Sequence, residues 1–285
     1  MKLCRFDDDR LGVIEGDQVL DITAALDVIP ASTYPLPRHD PLIAHLDEVC
    51  ARARQLMPDA PRKNIDQVKL LSPLANPGKL VAAPVNYLKH LEEARADSEI
   101  HHNSQVIEIQ RIGLFLKATS SLIGASQPVS VRHHDRRNDH EIELAIIIGK
   151  PGTGIKKQDA WDHIAAYTIG LDMTVRGPEE RSLRKSVDSY SVLGPWMVTA
   201  DEMGDATNLD FQLTVNGETR QKANTRDLVL NIPELVEYAS SFYTLHPGDV
   251  IYTGTPEGVG PVKPGDTIVA EFEKIGRMQV AVTSA

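Results

Sequence analysis

The sequence predicts an α+β fold rich in β-strands, in which a small N-terminal domain precedes a larger one. Many short apolar runs are bounded by turn residues, and few stretches show helical periodicity. An Asn-Gly pair at 216–217 lies between two strand-like runs, where it favours a tight hairpin turn. We place the boundary near Leu71, so that residues 1–70 form a small α+β domain and residues 71–285 form the larger domain.

The predicted elements follow in order along the chain. Residues 2–6 and 10–14 resemble paired short strands. Apolar residues recur with helical spacing between 42 and 57 and predict an amphipathic helix, which Pro58 ends. A second helix is predicted over 232–242, with a proline in its first turn. The strands of the larger domain are predicted at 79–83, 141–149, 164–172, 196–199, 211–215, 249–253 and 267–272.

One polar segment interrupts this pattern. Residues 94–112 carry His101, His102 and Asn103, and their few apolar residues are clustered. We interpret the segment as a loop or lid insertion, because such segments commonly close over a binding site.

Composition excludes several classes of protein. The 285 residues are 41% hydrophobic and 25% charged, as in an ordinary soluble globular protein. A net charge of −10 argues against a nucleic acid or an anionic membrane as partner. No apolar run approaches the roughly 18 residues that span a bilayer, and the N-terminus lacks a signal-peptide pattern. Cys4 and Cys50 are too few for a disulfide scaffold, so we expect a cytoplasmic protein.

Two glutamates begin the most apolar predicted strand. Glu141 and Glu143 are two residues apart, so their side chains point to the same face of a strand. Like charges placed in this way are unfavourable unless a cation lies between them; the alternative is a solvated strand end paired with Arg136 or Arg137. Asp172 ends another apolar run and could supply a third oxygen. Three such oxygens suit Mg²⁺, Mn²⁺ or Ca²⁺ better than zinc.

His90 and Glu93 suggest a second chemical element. If a helix begins near residue 87, these side chains share a face at i, i+3. A carboxylate in that position orients an imidazole and raises its basicity, as a general base that acts on water requires. The alternative is an incidental ion pair on a surface helix.

Taken in chain order, these features resemble the fumarylacetoacetate hydrolase family from about Leu71 to the C-terminus. The resemblance implies a mixed β-sheet roll or barrel, and a homodimer formed through the β-rich domain. The matching segments are Asn-Tyr-x-x-His-x-x-Glu at 86–93, Phe-x-Lys-x-x-Ser at 115–120, His-Glu-x-Glu-Leu-Ala at 140–145, Asp-x-x-x-Arg at 172–176, Lys-Ser-x-Asp at 185–188, Gly-Pro-Trp at 194–196, and the runs 213–225 and 247–260.

The resemblance also implies a mechanism. Glu141, Glu143 and Asp172 would hold Mg²⁺ or Mn²⁺, with Ca²⁺ a possible substitute in a crystal, and a 2-keto acid would chelate the ion. His90, oriented by Glu93, would activate a water that attacks the more distant carbonyl. The metal and a nearby cation would then stabilise the enolate that leaves when the C–C bond breaks. Lys185 is our candidate for that cation; the alternative is a solvated lysine in a basic run.

The substrate-facing positions depart from the family pattern. Leu171, Gly177 and Glu179 replace residues that are common in the family, so the preferred substrate is open. Arg176 could pair with a substrate carboxylate or form a structural salt bridge with Glu179 or Glu180. The candidate substrate-binding residues are Tyr87, Lys117, Ser120, Arg176, Glu179 and Thr255.

Three hypotheses for function follow. The first is a divalent-metal-dependent hydrolase that cleaves a C–C bond in an acylpyruvate or another 2,4-diketo acid. The second is a decarboxylase of oxaloacetate-like acids or a keto–enol isomerase, which would use the same metal-stabilised enolate without an attacking water. The third is a non-catalytic metal-binding protein, which the joint presence of metal, base and cation motifs disfavours.

Overall fold

The computed structural model describes residues 1–102 and 105–285 and confirms an α+β, β-rich architecture. Asn103, which we placed in the predicted insertion, lies outside the described residues. The strands are β1 (Lys2–Phe6), β2 (Arg10–Glu15), β3 (Gln18–Asp21), β4 (Arg62–Asn64), β5 (Leu70–Leu71), β6 (Leu80–Ala82), β7 (Phe115–Lys117), β8 (Leu122–Ile123), β9 (Val129–Val131), β10 (Asn138–His140), β11 (Ile142–Ile148), β12 (Ile164–Asp172), β13 (Thr174–Val175), β14 (Ser191–Thr199), β15 (Asp210–Val215), β16 (Glu218–Asn224), β17 (Val250–Tyr252), β18 (Gly260–Pro261), β19 (Thr267–Phe272) and β20 (Gly276–Ser284).

Helices are fewer and mostly short. Every helix of the described residues is too short or too polar to cross a membrane. The α-helices are α1 (Pro41–Ala44), α2 (Leu46–Leu56), α3 (Leu88–Ala96), α4 (Ser98–His101), α5 (Ile109–Ile112), α6 (Arg181–Lys185), α7 (Ala200–Met203) and α8 (Ile232–Phe242). The 3₁₀ helices are Thr23–Val28, Met57–Asp59, Ile65–Gln67, Thr119–Ser121, Lys157–His163 and Thr225–Asp227.

Twelve strands form one large mixed sheet. Its order is β4-β3-β2-β1-β14-β12-β11-β17-β6-β7, with β5 beside β1 and β8 beside β14. The β17–β6 and β14–β8 pairs are parallel and the other pairs are antiparallel. A five-stranded sheet has the order β16-β15-β19-β20-β9, and β13-β10-β18 form a small third sheet.

The N-terminal strands extend the large sheet. Leu3 of β1 lies opposite Met197 of β14, in antiparallel register. The boundary near Leu71 therefore stays a prediction, because residues on both sides of it belong to the same sheet.

The core lies on both faces of β11, every residue of which is buried. Ile142 and Leu144 belong to one apolar cluster, whereas Ala145 and Ile147 belong to a second cluster on the other face. Glu143 is two residues before Ala145, so its side chain lies on the same face of the sheet as Ala145 and Ile147. Burial on both faces explains the nearly continuous apolar run of the sequence.

Several local predictions are confirmed. The Asn-Gly turn joins β15 to β16, with Asn216 at φ 52° and Gly217 at φ 83°. The helix predicted over 232–242 is α8, whose capping box is formed by Asn231 and Glu234. The helix predicted over 42–57 is instead two helices, since α1 ends at Ala44 and α2 begins at Leu46.

Candidate metal and catalytic site

Glu141, Glu143 and Asp172 meet at one end of the large sheet. Glu141 lies immediately before β11 and Glu143 within it, while Asp172 ends the neighbouring strand β12. The backbone N–H of Asp172 donates to the carbonyl oxygen of Glu141 over 2.9 Å, which sets the two strand ends side by side. One carboxylate oxygen of each residue lies within 4.8 Å of the others, and all three residues are buried. The side chains of Glu141 and Glu143 therefore lie together, as their spacing predicts, and Asp172 joins them from the neighbouring strand.

The ammonium of Lys185 lies among these carboxylates. Its Nζ is 2.7 Å from an oxygen of Glu141, 2.7 Å from an oxygen of Asp172 and 2.7 Å from the hydroxyl of Thr174. Lys185 is only 6% exposed, so it is not the solvated lysine of the alternative interpretation. Although burial opposes ionisation, the charges of Lys185 and Arg176 hold the pKa of Glu141 below its ordinary value.

Glu143 makes no ion pair with any described residue. Its carboxylate accepts a 2.6 Å hydrogen bond from the backbone N–H of Gly254. Burial, together with the negative charges of Asp172 and Glu141, raises the pKa of Glu143 well above its ordinary value. Gly254 has a φ of +104°, and an added Cβ would lie 2.6 Å from the Cβ of Asn86. Only glycine lets the backbone approach the carboxylate in this conformation.

This donor set fits a divalent cation that prefers oxygen ligands. Three buried carboxylates supply hard oxygens, and burial together with the charges of Asp172 and Glu141 raises the pKa of Glu143. A divalent ion would provide the positive charge that this cluster lacks at Glu143. Since the three residues offer neither a thiolate nor an imidazole, Mg²⁺ or Mn²⁺ fits better than zinc.

His90 and Glu93 form a hydrogen-bonded pair on one face of α3. Nδ1 of His90 is 2.9 Å from Oε2 of Glu93, while Oε1 of Glu93 accepts a 2.9 Å hydrogen bond from the backbone N–H of Gly258. Because the carboxylate accepts from Nδ1–H, the neutral ring carries its lone pair on Nε2. His90 is buried and lines the same cavity as the three carboxylates. The predicted contact between the two side chains is therefore confirmed.

Asn86 fixes the start of α3. Its amide nitrogen donates to the carbonyl oxygens of Leu230 and Thr253 over 2.9 and 2.8 Å, and its Oδ1 accepts from the backbone N–H of Leu230 over 2.8 Å. The preceding residue, Val85, has a φ of 46°, a left-handed conformation that is costly for a β-branched side chain. Val85 lines the cavity with His90, so local backbone strain accompanies the position of the imidazole.

A cavity of about 360 Å³ lies over the carboxylates and His90. Its volume suits a small molecule. One wall comes from the segment around α4 and α5 through Ile100, Val106 and Ile112. The described part of the predicted insertion therefore borders the cavity.

A chain of ion pairs connects this wall to the carboxylates. Arg176 donates from Nε to Asp139 over 2.7 Å and from Nη2 to Glu141 over 3.0 Å. Asp139 also accepts from Nε of Arg137 over 2.7 Å. Arg137 in turn donates from Nη1 to Asp97, the N-cap residue of α4, over 2.9 Å.

Three of the six candidate substrate-binding residues border the cavity, namely Arg176, Glu179 and Thr255. Each already has a protein partner. Arg176 is held by buried acids, so the alternative salt bridge with Glu179 or Glu180 is wrong. Glu179 receives two hydrogen bonds from Arg136, at 2.7 and 3.2 Å. The hydroxyl of Thr255 donates to a backbone carbonyl over 2.9 Å, which leaves it less available to a ligand.

The other three candidates do not line the cavity, and we correct those predictions. Lys117 is buried and donates to Asp172, so it holds a carboxylate in place. Tyr87 is also buried, and its ring meets that of Phe211 edge-on with centroids 6.2 Å apart. Ser120 is exposed and borders a separate surface pocket.

Sequence reasoning missed two arginines that line the cavity. Arg181 and Arg184 belong to the basic run before Lys185, in which only Lys185 was a candidate site residue. The sequence did contain a signal for Arg181. It is four residues before Lys185, so the two side chains share a face of α6.

A mixed sheet that carries three converging carboxylates, a buried lysine and a His–Glu pair has the parts of a metal-dependent enzyme. The chain belongs to the fumarylacetoacetate hydrolase family, since the family model described as Fumarylacetoacetate (FAA) hydrolase C-terminal matches residues 79–283.

Individual relatives refine this assignment. Maleylpyruvate hydrolase from Aquipseudomonas alcaligenes is 59% identical over 286 residues, which cover 100% of both chains. The mitochondrial oxaloacetate tautomerase FAHD2A of Homo sapiens is 36% identical over 240 residues, covering 79% of this chain and 72% of that protein. The crystal structure of maleylpyruvate hydrolase from Sphingobium sp. SYK-6 in complex with manganese(II) ion and pyruvate is 42% identical, with 100% of both chains covered and a TM-score of 0.85.

Proposed function

We propose that this protein hydrolyses the C–C bond of an acylpyruvate, of which maleylpyruvate is the first candidate, to pyruvate and a carboxylic acid. The observation that carries the proposal is the His90–Glu93 pair on the same cavity as three buried carboxylates. Such a pair suits the activation of water, and such carboxylates suit a cation that binds a 2-keto acid. The full-length relative that is named maleylpyruvate hydrolase supports the choice of substrate.

Glu141, Glu143 and Asp172 are the proposed ligands of Mg²⁺ or Mn²⁺. When bound, the ion would supply positive charge for the oxygens of the 2-keto acid and for the enolate formed from it. Nζ of Lys185 lies 2.7 Å from two of these carboxylates and places an ammonium beside the same developing negative charge.

The proton movements follow from the geometry of the pair. His90 takes a proton from water through Nε2, while Glu93 keeps Nδ1–H oriented and stabilises the imidazolium. The hydroxide adds to the acyl carbonyl carbon, and the bond from that carbon to the adjacent methylene then breaks. The electron pair of this bond passes into the enolate of pyruvate, and the acyl group leaves as a carboxylic acid. The proton on Nε2 is finally delivered to the enolate carbon.

A second candidate is keto–enol tautomerisation or decarboxylation of an oxaloacetate-like acid. The observation that favours it is the 36% identical relative named oxaloacetate tautomerase. His90 could move a proton between carbon and oxygen without activating a water. The identity of the products separates the two candidates.

The proposal includes a cytoplasmic homodimer, as family resemblance suggests. Light scattering after size-exclusion chromatography measures the oligomer, and a mass of one chain would contradict this part.

The test of the function is turnover of maleylpyruvate by the purified chain with Mg²⁺ or Mn²⁺. Loss of the diketo absorbance gives the rate, and NMR identifies the products. Metal-free protein, His90→Gln and Glu141→Gln are assayed alongside, with the exposed Glu48→Gln as a matched control.

We expect pyruvate and maleate from the wild type and the control, and losses of at least about 100-fold in the metal-free protein and both site variants. Tautomerisation or CO₂ release from oxaloacetate without cleavage of maleylpyruvate would instead support the second candidate. Full activity of His90→Gln would contradict the proposed role of the imidazole.

A further inference from the structure

Arg181 borders the cavity and has no ion-pair partner among the described residues. Its guanidinium makes no hydrogen bond and no ion pair with the described residues, and its contact is with the ring of Phe115, whose centroid is 5.5 Å away. Burial lowers the pKa of Arg181, although a guanidinium stays protonated at neutral pH. A partly desolvated positive charge therefore faces the space that a ligand would occupy.

The other cations on the cavity wall are already engaged. Lys185 and Arg176 each contact two buried carboxylates. Arg184 donates from Nε to the carbonyl oxygen of Glu179 over 2.8 Å. Three arginines among the described residues line the cavity. Arg176 and Arg184 donate hydrogen bonds to protein acceptors, whereas Arg181 donates none to the part of the chain that the structure describes.

The two acids that precede Arg181 in the sequence, Glu179 and Glu180, accept hydrogen bonds from other groups. Glu179 is paired with Arg136, as described above, and the carboxylate of Glu180 accepts a 2.6 Å hydrogen bond from the backbone N–H of Ser182. Gly177 makes the first pairing possible, since an added Cβ would lie 1.7 Å from Nη2 of Arg136. The departure from the family pattern at residue 177 thus helps to keep Glu179 away from Arg181.

The separation of Arg181 and Lys185 sets the length that a ligand needs in order to contact both cations. The two residues are four apart in α6, a rise of about 6 Å along a helix, and both cations lie 5.5 Å from the ring centroid of Phe115. The ring fixes the guanidinium by a cation–π contact, which limits the entropy that is lost on binding. A ligand anchored beside Lys185 could therefore reach Arg181 through a short carbon chain.

We propose that Arg181 binds a carboxylate at the acyl end of the substrate, so that the enzyme selects dicarboxylic acylpyruvates over those that end in a methyl group. This inference rests on the proposed function. The planar guanidinium can donate two parallel hydrogen bonds to a carboxylate, and no acid among the described residues forms an ion pair with it. Arg181 is then a specificity-determining residue, whereas the cleavage itself depends on the groups at the acyl carbonyl and at the 2-keto acid.

The test compares two pairs of ligands that differ only by a carboxylate or a methyl group at one end. Turnover is measured with succinylpyruvate and butanoylpyruvate, and binding is measured by calorimetry with 2-oxoadipate and 2-oxohexanoate, all with Mn²⁺. The variants are Arg181→Met, which keeps an apolar stem over Phe115, and Arg181→Lys. The control is Arg277→Met on β20, where the arginine is exposed and pairs with Glu271.

We expect Arg181→Met to lower kcat/KM for succinylpyruvate by about 100-fold and for butanoylpyruvate by less than about threefold. The preference for 2-oxoadipate over 2-oxohexanoate should fall at least about tenfold, Arg181→Lys should keep part of it, and Arg277→Met should keep all of it. Equal losses with both members of each pair, or no loss, would overturn the inference. If the wild type cleaves neither acylpyruvate, the proposed function fails, and the two dissociation constants alone still decide the role of Arg181.

Discussion

The backbone N–H of Gly258 and the imidazole of His90 bind the two oxygens of one carboxylate, that of Glu93. The loop that carries Gly258 also reaches Glu143 through the N–H of Gly254. A single loop therefore positions both the proposed base and a proposed metal ligand. Changes in this loop should affect both functions together.

Replacing Glu93 with Gln tests its role as the partner of the base. The amide can still accept from Gly258, but it removes the negative charge that stabilises a protonated His90. We expect kcat to fall about 10- to 100-fold while the affinity for Mn²⁺ stays within about threefold. Steady-state kinetics and calorimetry measure the two quantities, with the exposed Glu92→Gln as control. An unchanged kcat would show that the pair is only structural.

Replacing Glu143 with Gln separates metal binding from stability. The variant removes a buried carboxylate that has no ion pair among the described residues. We expect the free energy of unfolding of the metal-free protein to stay the same or rise by about 1 kcal/mol. The affinity for Mn²⁺ should fall at least about 100-fold, because a ligand is lost. Urea titrations with and without Mn²⁺ measure both effects, and equal Mn²⁺ affinity in variant and wild type would remove Glu143 from the proposed metal site.

Replacing Lys185 with Met should lower catalysis without lowering the affinity for the metal. The ammonium competes with a metal for the oxygens of Glu141 and Asp172, so its loss should leave the dissociation constant for Mn²⁺ unchanged or lower. The value of kcat should fall about 100-fold, because the ammonium beside the enolate is lost. The exposed Lys156→Met is the matched control. A parallel loss of Mn²⁺ affinity would indicate that Lys185 organises the carboxylates instead.

Replacing Gly254 with Ala tests the close approach of the loop. The new Cβ would combine an unfavourable φ with a 2.6 Å contact to Asn86, so we expect a loss of about 3 kcal/mol in the free energy of unfolding. Gly217→Ala is the control, since its φ is +83° but nothing lies within 4 Å of the added atom. There we expect a loss of about 1 kcal/mol from backbone strain alone. Equal losses in urea titrations would contradict a steric role for Gly254.

The sequence predicted those parts of the site that depend on short spacing. Glu141 and Glu143 share a face because strand side chains alternate, and His90 meets Glu93 because helical residues three apart are neighbours. Both rules act within one element. The third carboxylate depends on the pairing of β11 with β12, which places Asp172 beside Glu141.

The errors concern residues whose orientation depends on distant pairing. Lys117 and Phe115 share a face of β7. Phe115 lines the cavity, whereas the ammonium of Lys117 donates a hydrogen bond to Asp172. Ser120 follows in a 3₁₀ turn and is exposed. Arg181 was missed because a basic run is typical of a solvated surface, whereas its guanidinium lies 5.5 Å from the ring centroid of Phe115, a residue from another part of the chain.

The pairing of β1 with β14 has a practical consequence for dissecting the protein. A fragment that starts near Leu71 would expose the backbone N–H and C=O groups of β14 around Met197 and Val198. It would also uncover the apolar cluster that Leu3 shares with Met197 and Ile147. An exposed strand edge beside bare apolar surface promotes association between chains. We therefore expect such a fragment to precipitate instead of folding as an autonomous catalytic unit.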